Sequence, residues 1–511
     1  MDGMKKKLWM PALLIMPLLI VIPVVNSDVF WSSETRLTTH LSWDVGSSIT
    51  ETLDGRIWIV WQREDAGNWD LSYNTYNGSA WSGDMKLTTD LAHDTAPSIF
   101  QSPSGTIWVF WASDRTGNYD IFYKTSSNGG LSWLNDTPIT YDPSDDVNPT
   151  FIEASDGTLW VVWARKAASG YYDIFYKTSS NGGISWSSEI RLTTDPNHDK
   201  LPSIAQMWDG RIWVAWSSNR VGNDEVFYKT YDGSAWSNDT RLTYSDQLNS
   251  DPSIVQARDG SIWIVWSSRA PKDIPSTNDN LFYKVSTDNG VTWSSSVQLT
   301  LDPDWDEVWP SIAQSSDGRL WATYTSDKNN NYDIYYMTSN VIIIHDVTVT
   351  GVTVSPVLVY RDDNVYVNVT ALNQGEAQET FNVTCYANST AIGTQTVTLA
   401  AGASTVLTFV WTTTGFNRGN YVLSARAIAP PAETVPCQVN NSFTDGVVRV
   451  KITGDVDDSG MVNIIDLATI GVSFGKGVGE PLYNVDADIN HDSLVDISDL
   501  AIAGRNYGKK S

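Results

Sequence analysis

A five-residue apolar string recurs six times between residues 31 and 340. It reads IWIVW at 57–61 and returns with small changes at 107–111, 159–163, 212–216, 262–266 and 320–324. Successive copies are 50, 52, 53, 50 and 58 residues apart. A period of about 40–50 residues built on short β-branched and aromatic strands is typical of a β-propeller.

Each copy belongs to a longer repeat with two more predicted strands. A strand such as DIFYKTS (120–126) follows the apolar string, and a short RLTT-like strand follows that one. The first short strand, near Leu37, precedes the first copy, and none follows the sixth. We therefore predict a mainly β fold that begins with a six-bladed propeller over residues 28–340. The N-terminal strand closes it and leaves no sheet edge exposed.

Three hairpins carry a further signature: SSNGGLSW (126–133), SSNGGISW (179–186) and STDNGVTW (286–293). They match the Asp-box of bacterial neuraminidase repeats, with Asn128 and Asn181 in the Asp place. The region therefore resembles a sialidase-like propeller. In that family the box is a folding device whose Asx side chain binds the N–H groups of a turn, so it indicates a fold more than an activity.

Every repeat also places one basic and one acidic residue in the loops and crossings of the predicted ring. The basic residues are Arg63, Arg115, Arg165, Arg220, Arg269 and Lys328, and the acidic residues are Asp44, Asp94, Asp146, Asp199, Asp251 and Asp306. Sialidases bind a carboxylate with arginines and use an aspartate in proton transfer, so the resemblance makes these residues candidate ligands. Ion pairs within the scaffold are the alternative, which recurrence in all six repeats favours. The Phe/Tyr-Arg-Ile-Pro string of sialidases does not occur, and catalytic residues stay unassigned.

The crossing DPDWDEVWP (302–310) departs from the other repeats. Its candidate ligand-binding residues are Asp306, named above, and three further ones, Trp305, Glu307 and Trp309. An exposed indole beside carboxylates suits stacking on a sugar ring with hydrogen bonds to its hydroxyls, so we expect a glycan here. Packing between blades is the competing role for these tryptophans. An insertion at 270–277 is a second departure.

Residues 341–452 alternate apolar and polar side chains over six or seven short strands, which predicts an immunoglobulin-like β-sandwich. The pattern resembles the cell-adhesion-related CARDB domain, which implies a spacer or adhesion module. Both cysteines of the chain, Cys385 and Cys437, fall in this segment. In an oxidising compartment we expect one disulfide between them.

Residues 453–511 hold two runs of oxygen-bearing residues at the spacing of a calcium loop. The first run is Asp455, Asp457, Ser459, Met461 through its carbonyl, Asn463 and Asp466; the second is Asp488, Asn490, Asp492, Leu494, Asp496 and Asp499. A helix is predicted after each loop. The pair resembles a type I dockerin, which implies a small α module with two calcium ions and a cohesin-type partner. Packing within this chain as a calcium-stabilised cap is the alternative.

The N-terminus carries Lys5, Lys6 and Lys7 before an uncharged stretch at 8–25, which predicts a signal peptide over residues 1–27. An uncleaved membrane anchor is the alternative, and no later segment is apolar enough to span. We therefore expect a secreted or cell-surface protein. The chain has 33 Lys+Arg against 59 Asp+Glu, a net charge of −26, which argues against a nucleic-acid partner.

These features predict an exported carbohydrate-associated protein whose propeller recognises a glycan or a surface partner. A glycoside hydrolase of the exo-sialidase type is the first alternative, and it would act in polysaccharide catabolism. A non-enzymatic surface assembly or adhesion protein is the second. The missing sialidase arginine string favours binding over hydrolysis.

Overall fold

The computed structural model describes residues 29–167, 170–269, 278–430 and 432–510. The fold is mainly β, as predicted, and six of its sheets have four antiparallel strands each. The predicted signal peptide lies outside the described residues. Within the described ranges, no helix is long and apolar enough to cross a membrane.

The six four-stranded sheets follow the six sequence repeats. Sheet 1 comprises β2 (Asp44–Glu51), β3 (Ile57–Asp65), β4 (Asn68–Tyr76) and β5 (Met85–Lys86); sheet 2 comprises β6 (Asp94–Gln101), β7 (Ile107–Ser113), β8 (Asp120–Ser126) and β9 (Thr137–Pro138). Sheet 3 comprises β10 (Asp146–Glu153), β11 (Leu159–Lys166), β12 (Tyr172–Ser179) and β13 (Ile190–Arg191); sheet 4 comprises β14 (Asp199–Gln206), β15 (Ile212–Ser218), β16 (Glu225–Tyr231) and β17 (Thr240–Arg241). Sheet 5 comprises β18 (Leu248–Gln256), β19 (Ile262–Arg269), β20 (Asp279–Ser286) and β21 (Val297–Gln298); sheet 6 comprises β22 (Glu307–Gln314), β23 (Arg319–Ser326), β24 (Asp333–Val341) and β1 (Thr35–Arg36).

The apolar string forms the second strand of each sheet. In β7 every residue is buried, because neighbouring sheets cover both faces of the strand. The first strand of each sheet contacts the first strand of the next sheet, and β22 of sheet 6 contacts β2 of sheet 1. The six sheets therefore form a closed cycle, called the ring below.

Strand β1 joins the two ends of the ring in one sheet. Thr35 lies opposite Tyr336 and Arg36 opposite Tyr335 in an antiparallel pair with β24. Arg36 also forms an ion pair of 2.7 Å with Asp333. The N-terminal segment thus supplies the outer strand of the sheet that the chain completes last.

The three Asp-box turns join sheets 2, 3 and 5 to the sheets before them. In sheet 5, Asp288 Oδ1 accepts hydrogen bonds from the Thr292 amide and the Ser286 hydroxyl, both at 2.8 Å. Gly290 has a φ of +80°, and a Cβ there would lie 2.1 Å from Trp213 Cη2 of sheet 4. The turn packs directly on that indole, so the position requires glycine.

Two further sheets form the predicted sandwich. One comprises β25 (Val347–Ser355), β27 (Asn364–Asn373) and β30 (Ser404–Thr412); the other comprises β26 (Leu358–Tyr360), β28 (Glu379–Ala387), β29 (Thr390–Leu399), β31 (Gly419–Ala427) and β32 (Ser442–Lys451). The side chains between them, such as Val367, Val383 and Trp411, form one apolar core.

The expected disulfide between Cys385 and Cys437 is not formed, and both thiols are free and buried. Cys385 packs in the sandwich core, where burial raises the pKa of its thiol to about 11. Cys437 lies in the 3₁₀ helix Val435–Asn440, and its Sγ is 3.4 Å from the carbonyl oxygen of Asp259 in sheet 5. The two cysteines therefore pack in different places, Cys385 in the sandwich core and Cys437 against Asp259.

The chain ends in two helices, α1 (Ile464–Ser473) and α2 (Ile497–Asn506). Asn463 and Asp496 cap them, each in a capping box with an aspartate three residues later. The two loop-helix units exchange backbone hydrogen bonds: the Gly475 amide donates to the Val495 carbonyl at 2.7 Å, and the Gly508 amide donates to the Val462 carbonyl at 2.8 Å. Each unit thereby holds the loop of the other.

Candidate functional site

The first strand of every ring sheet is bulged at one position. The residue there has a φ between +51° and +63°, and the six residues are Gly46, Ala96, Asn148, Leu201, Asp251 and Trp309. Together with their neighbours, they line a cavity of about 440 Å³ to which all six sheets contribute. The repeat thus builds one shared cavity, and the six differing side chains give it an asymmetric lining.

The bulges are held by side chains from the preceding sheet. The Ala96 amide donates to Gln62 Oε1 at 2.6 Å, and the Asp251 amide donates to Ser217 Oγ at 3.0 Å. A left-handed backbone at a bulky residue costs on the order of 1–3 kcal/mol and persists where the surroundings enforce it. Trp309, with a φ of +53°, is the largest residue at these six positions.

Asp251 and Trp309 supply the distinctive chemistry of the cavity. Asp251 Oδ2 accepts hydrogen bonds from Ser250 Oγ at 2.8 Å and Ser267 Oγ at 2.9 Å. Its Oδ1 is buried without a hydrogen-bond partner among the described residues, and burial raises the pKa of the carboxyl. The Trp309 side chain is 39% exposed. The cavity therefore offers a free carboxyl oxygen and an exposed indole.

Four of the candidate arginines lie inside their own sheets. Each forms an ion pair of 2.6–2.8 Å with the acid that opens its sheet, and the pairs are Arg63–Asp44, Arg115–Asp94, Arg165–Asp146 and Arg220–Asp199. Each also bonds a second acid at 2.5–2.8 Å, and these acids are Asp84, Asp136, Glu189 and Asp239. An indole N–H donates to the same first acid, as Trp61 does to Asp44 at 2.8 Å. The guanidinium groups are thus occupied by buried scaffold contacts.

Sheets 5 and 6 depart from this arrangement. Counting back three residues from the proline of the bulge gives Asp199 in sheet 4 but Asn249 in sheet 5 and Glu307 in sheet 6. Asn249 accepts the Trp266 indole N–H at 2.9 Å, as the aspartates of other sheets do. The sequence analysis grouped Asp251 and Asp306 with the acids that open the other sheets. That assignment was wrong in register, because Asn249 and Glu307 hold those positions and Asp251 lies at the bulge.

The remaining candidates are distributed around the crossing into sheet 6. Arg269 pairs with Asp279 and lies 3.8 Å from Asp306. Trp305 is half-buried and is not among the residues that line the cavity. The structure therefore separates Trp305 from Trp309. The insertion at 270–277 lies outside the described residues.

The first C-terminal loop gathers three carboxylates. One oxygen each from Asp455, Asp457 and Asp466 lies within 4.8 Å of the others. Asp466 also accepts the backbone amides of Val456 and Asn463 at 2.7 and 2.8 Å. Like charges held this close favour a bound cation, so the donor set fits calcium.

The second loop repeats these contacts. Asp499 accepts the amides of Ile489 and Asp496 at 2.7 and 2.8 Å. Asp488 Oδ1 is buried without a hydrogen-bond partner among the described residues. Ser493 adopts a φ of +76° where Gly460 of the first loop adopts +89°. The oxygen atoms of this loop also fit a hard cation, and the strained serine lies at its sharp turn.

Comparison with protein families places more than half of the chain in one family. Residues 62–322 match the model of the BNR repeat-like domain. The chain belongs to the BNR repeat-like family. Residues 344–444 match the CARDB model, which confirms the second predicted relationship. A comparison with curated protein sequences gives no match.

Several solved structures are similar to this chain. A protein of unknown function from Dyadobacter fermentans DSM 18053 is 13% identical with a TM-score of 0.53, and the match covers 62% of this chain and all of that one. A Hadza microbial sialidase is 16% identical, with a TM-score of 0.45 and coverage of 58% and 65%. The NanB sialidase of Streptococcus pneumoniae is 11% identical, with a TM-score of 0.47 and coverage of 61% and 70%. The first of these similarities shows a shared fold.

Proposed function

We propose that this protein is an exported glycan-binding protein whose ring is a six-bladed β-propeller with its binding site in the central cavity. The observation that carries the proposal is that one cavity is lined by both the exposed Trp309 and Asp251, whose Oδ1 has no hydrogen-bond partner among the described residues. Ligand pockets usually have volumes of about 300–1,000 Å³, and 440 Å³ lies in that range. An indole for stacking and a carboxyl for hydroxyl groups are the contacts a sugar requires.

Binding is better supported than hydrolysis. Most glycoside hydrolases use two carboxyl groups about 5–10 Å apart. Asp251 is the one acidic residue among the described residues that line the cavity. The glycoside hydrolase alternative would need a second acid at this site.

Glycan-array binding and calorimetry test the proposal with Trp309→Ala. Alanine stands at the equivalent bulge of sheet 2, so the backbone accepts it. Loss of a stacking indole should cost on the order of 1–3 kcal/mol, or about 5- to 150-fold in Kd. Trp305→Ala is the matched control and should bind like the parent. Equal binding by the parent and by Trp309→Ala would reject this site. If the parent releases sugar from a glycan and Asp251→Asn does not, the glycoside hydrolase alternative is favoured.

We further propose that the C-terminal loops hold two calcium ions and form a dockerin that binds a cohesin-type partner. Asp455, Asp457 and Asp466 support the first ion, and Asp488 with Asp499 supports the second. Calcium supplies the positive charge that lets these carboxylates stay close. Ile464 and Ile497, at the starts of α1 and α2, are 65% exposed and would face the partner. The CARDB domain would act as the spacer between the ring and this module.

Calorimetry of the full chain with and without a chelator tests the calcium proposal. Calcium should raise the melting temperature of the transition that involves α1 and α2. Asp455→Ala should weaken one of two binding events, whereas Asp317→Ala, an exposed acid of the ring, should change neither. Identical melting with calcium and with chelator would contradict the proposal.

A further inference from the structure

No lysine or arginine is among the described residues that line the cavity. The lining offers the hydroxyl and amide groups of Ser47, Gln62, Thr95 and Asn148, the phenol of Tyr119 and the carboxyl of Asp251. A carboxyl with an unpartnered oxygen repels an anionic ligand when ionised. It accepts a hydrogen bond from a neutral hydroxyl when ionised, and it can also donate one when protonated. The local chemistry therefore favours an uncharged ligand.

The arginines of sheets 1 to 4 do not offset this preference. In sheets 1 to 4 each guanidinium pairs with two acids, as Arg63 does with Asp44 and Asp84. Release of one arginine for a ligand would leave a buried carboxylate without its partner, which is strongly unfavourable. These cations are therefore not available to bind the acid group of a sugar.

The net charge of the whole chain also disfavours anionic ligands. The net charge of −26 produces a negative potential that lowers the local concentration of anions at low ionic strength. Long-range repulsion and the Asp251 carboxyl thus both disfavour acidic sugars.

From these observations we propose that the central cavity binds uncharged sugar residues and discriminates against sialic and uronic acids. The selectivity rests on the proposed glycan-binding role of the same cavity. Asp251 is its determining residue, with Trp309 stacking on the sugar face. Leu201, at the equivalent bulge of sheet 4, is a position where the lining has neither charge nor hydrogen-bonding capacity.

Matched pairs of immobilised oligosaccharides test this selectivity, for example lactose against 3′-sialyllactose and cello-oligosaccharides against their uronic-acid counterparts. We expect the protein to bind the neutral member of at least one pair. At low salt its affinity for the acidic partner should be at least about tenfold weaker, a difference in binding free energy of ~1.4 kcal/mol. The difference should shrink as salt screens the charges. Equal or tighter binding of acidic members overturns the selectivity alone. Absence of binding to every member overturns the glycan role itself.

Leu201→Arg provides the converse test. Leucine already holds a φ of +57° there, so an arginine adds little backbone strain. The variant should gain binding to the acidic members by about tenfold, since a cation in the cavity compensates their charge. Leu201→Gln, which is similar in length and uncharged, should not. Equal gains by both variants, or no gain by Leu201→Arg in a folded protein that binds neutral members, would contradict a charge-based mechanism.

Discussion

Three residues distinguish sheet 6 from the other ring sheets, and two of them, Tyr324 and Glu307, are fully buried. Tyr324 stands where other sheets have tryptophan, Glu307 replaces the first acid, and Lys328 replaces the arginine. Lys328 lies 3.3 Å from Glu307 but also contacts Asp302 and Glu34, so its charge is shared among three acids. Burial, together with repulsion from Asp302, Asp306 and Asp327, raises the pKa of Glu307 to about 8. Sheet 6 therefore holds a glutamic acid that stays protonated at neutral pH.

Replacement of Glu307 by glutamine should make the protein less sensitive to alkaline pH. In the unfolded chain Glu307 ionises near its ordinary pKa of 4.5, whereas in the folded chain it ionises near 8. Between these values unfolding releases a proton, so the contribution of Glu307 to the free energy of unfolding falls as pH rises. The melting temperature of Glu307→Gln minus that of the parent should grow from pH 4.5 to 8 and then level off. Glu480→Gln, at an exposed glutamate, should give a constant difference; a constant difference for Glu307→Gln would refute the assignment.

At the scale of elements, the Asp-box turns act as contacts between sheets rather than as ligand sites. Gly130, Gly183 and Gly290 each lie against an indole of the preceding sheet. The turns place their own tryptophans nearby, as with Trp293, whose ring centroid is 6.3 Å from that of Trp213. The part of the sequence most similar to neuraminidases therefore explains stability and not recognition.

Gly290→Ala should destabilise the ring more than a glycine substitution in a comparable open turn. The added Cβ would meet the Trp213 ring at 2.1 Å, and overpacking of this kind typically costs about 1–3 kcal/mol beyond the backbone strain. Gly233→Ala is the control, because Gly233 also has a positive φ but has no atom within 4 Å of its Cβ position. Urea denaturation measures both. Similar losses for the two variants would show that packing on Trp213 is unimportant.

The sequence predicted the strands of the ring well but not the cavity. Periodicity identifies the apolar strings because burial on both faces selects β-branched and aromatic residues. Sheets 4 and 5 share the same bulge, but Asn249 occupies the position of Asp199, and Asp251 lies within the bulge itself. The prolines that follow the bulges are the signal that would have aligned the repeats. Trp309 lines the cavity, whereas Trp305 is not among the described residues that line it.

For the whole molecule, the ring and the sandwich are joined by specific contacts. The Val435 amide donates to the Thr287 carbonyl at 2.8 Å, and Arg258 pairs with Glu376. Arg418 links the sandwich to the first C-terminal loop through Asp458 at 2.9 Å. A Cβ on Gly260 would lie 2.8 Å from Pro436, so this junction is tightly packed. The three parts of the chain thus contact one another in sequence order.

Deletion of residues 29–40 should destabilise the ring and promote association. The deletion removes β1 and leaves the outer edge of β24 unpaired, and exposed edges recruit other strands. Sedimentation velocity and thermal melting measure the two effects. Arg36→Ala, which removes the ion pair with Asp333 but keeps the strand, should remain monomeric. A truncated protein that stays monomeric and melts with the parent would contradict closure by β1.

Closure of the ring by β1 pairs two segments that are synthesised at different times. Ser32 and its partner Thr338 are 306 residues apart, so β1 is synthesised well before the strand with which it pairs. At about 5–20 residues per second, it waits on the order of 15–60 s for β24. A two-residue strand such as β1 offers few backbone groups to a wrong partner during that interval. The shortness of the closing strand thus protects the nascent chain until the last sheet exists.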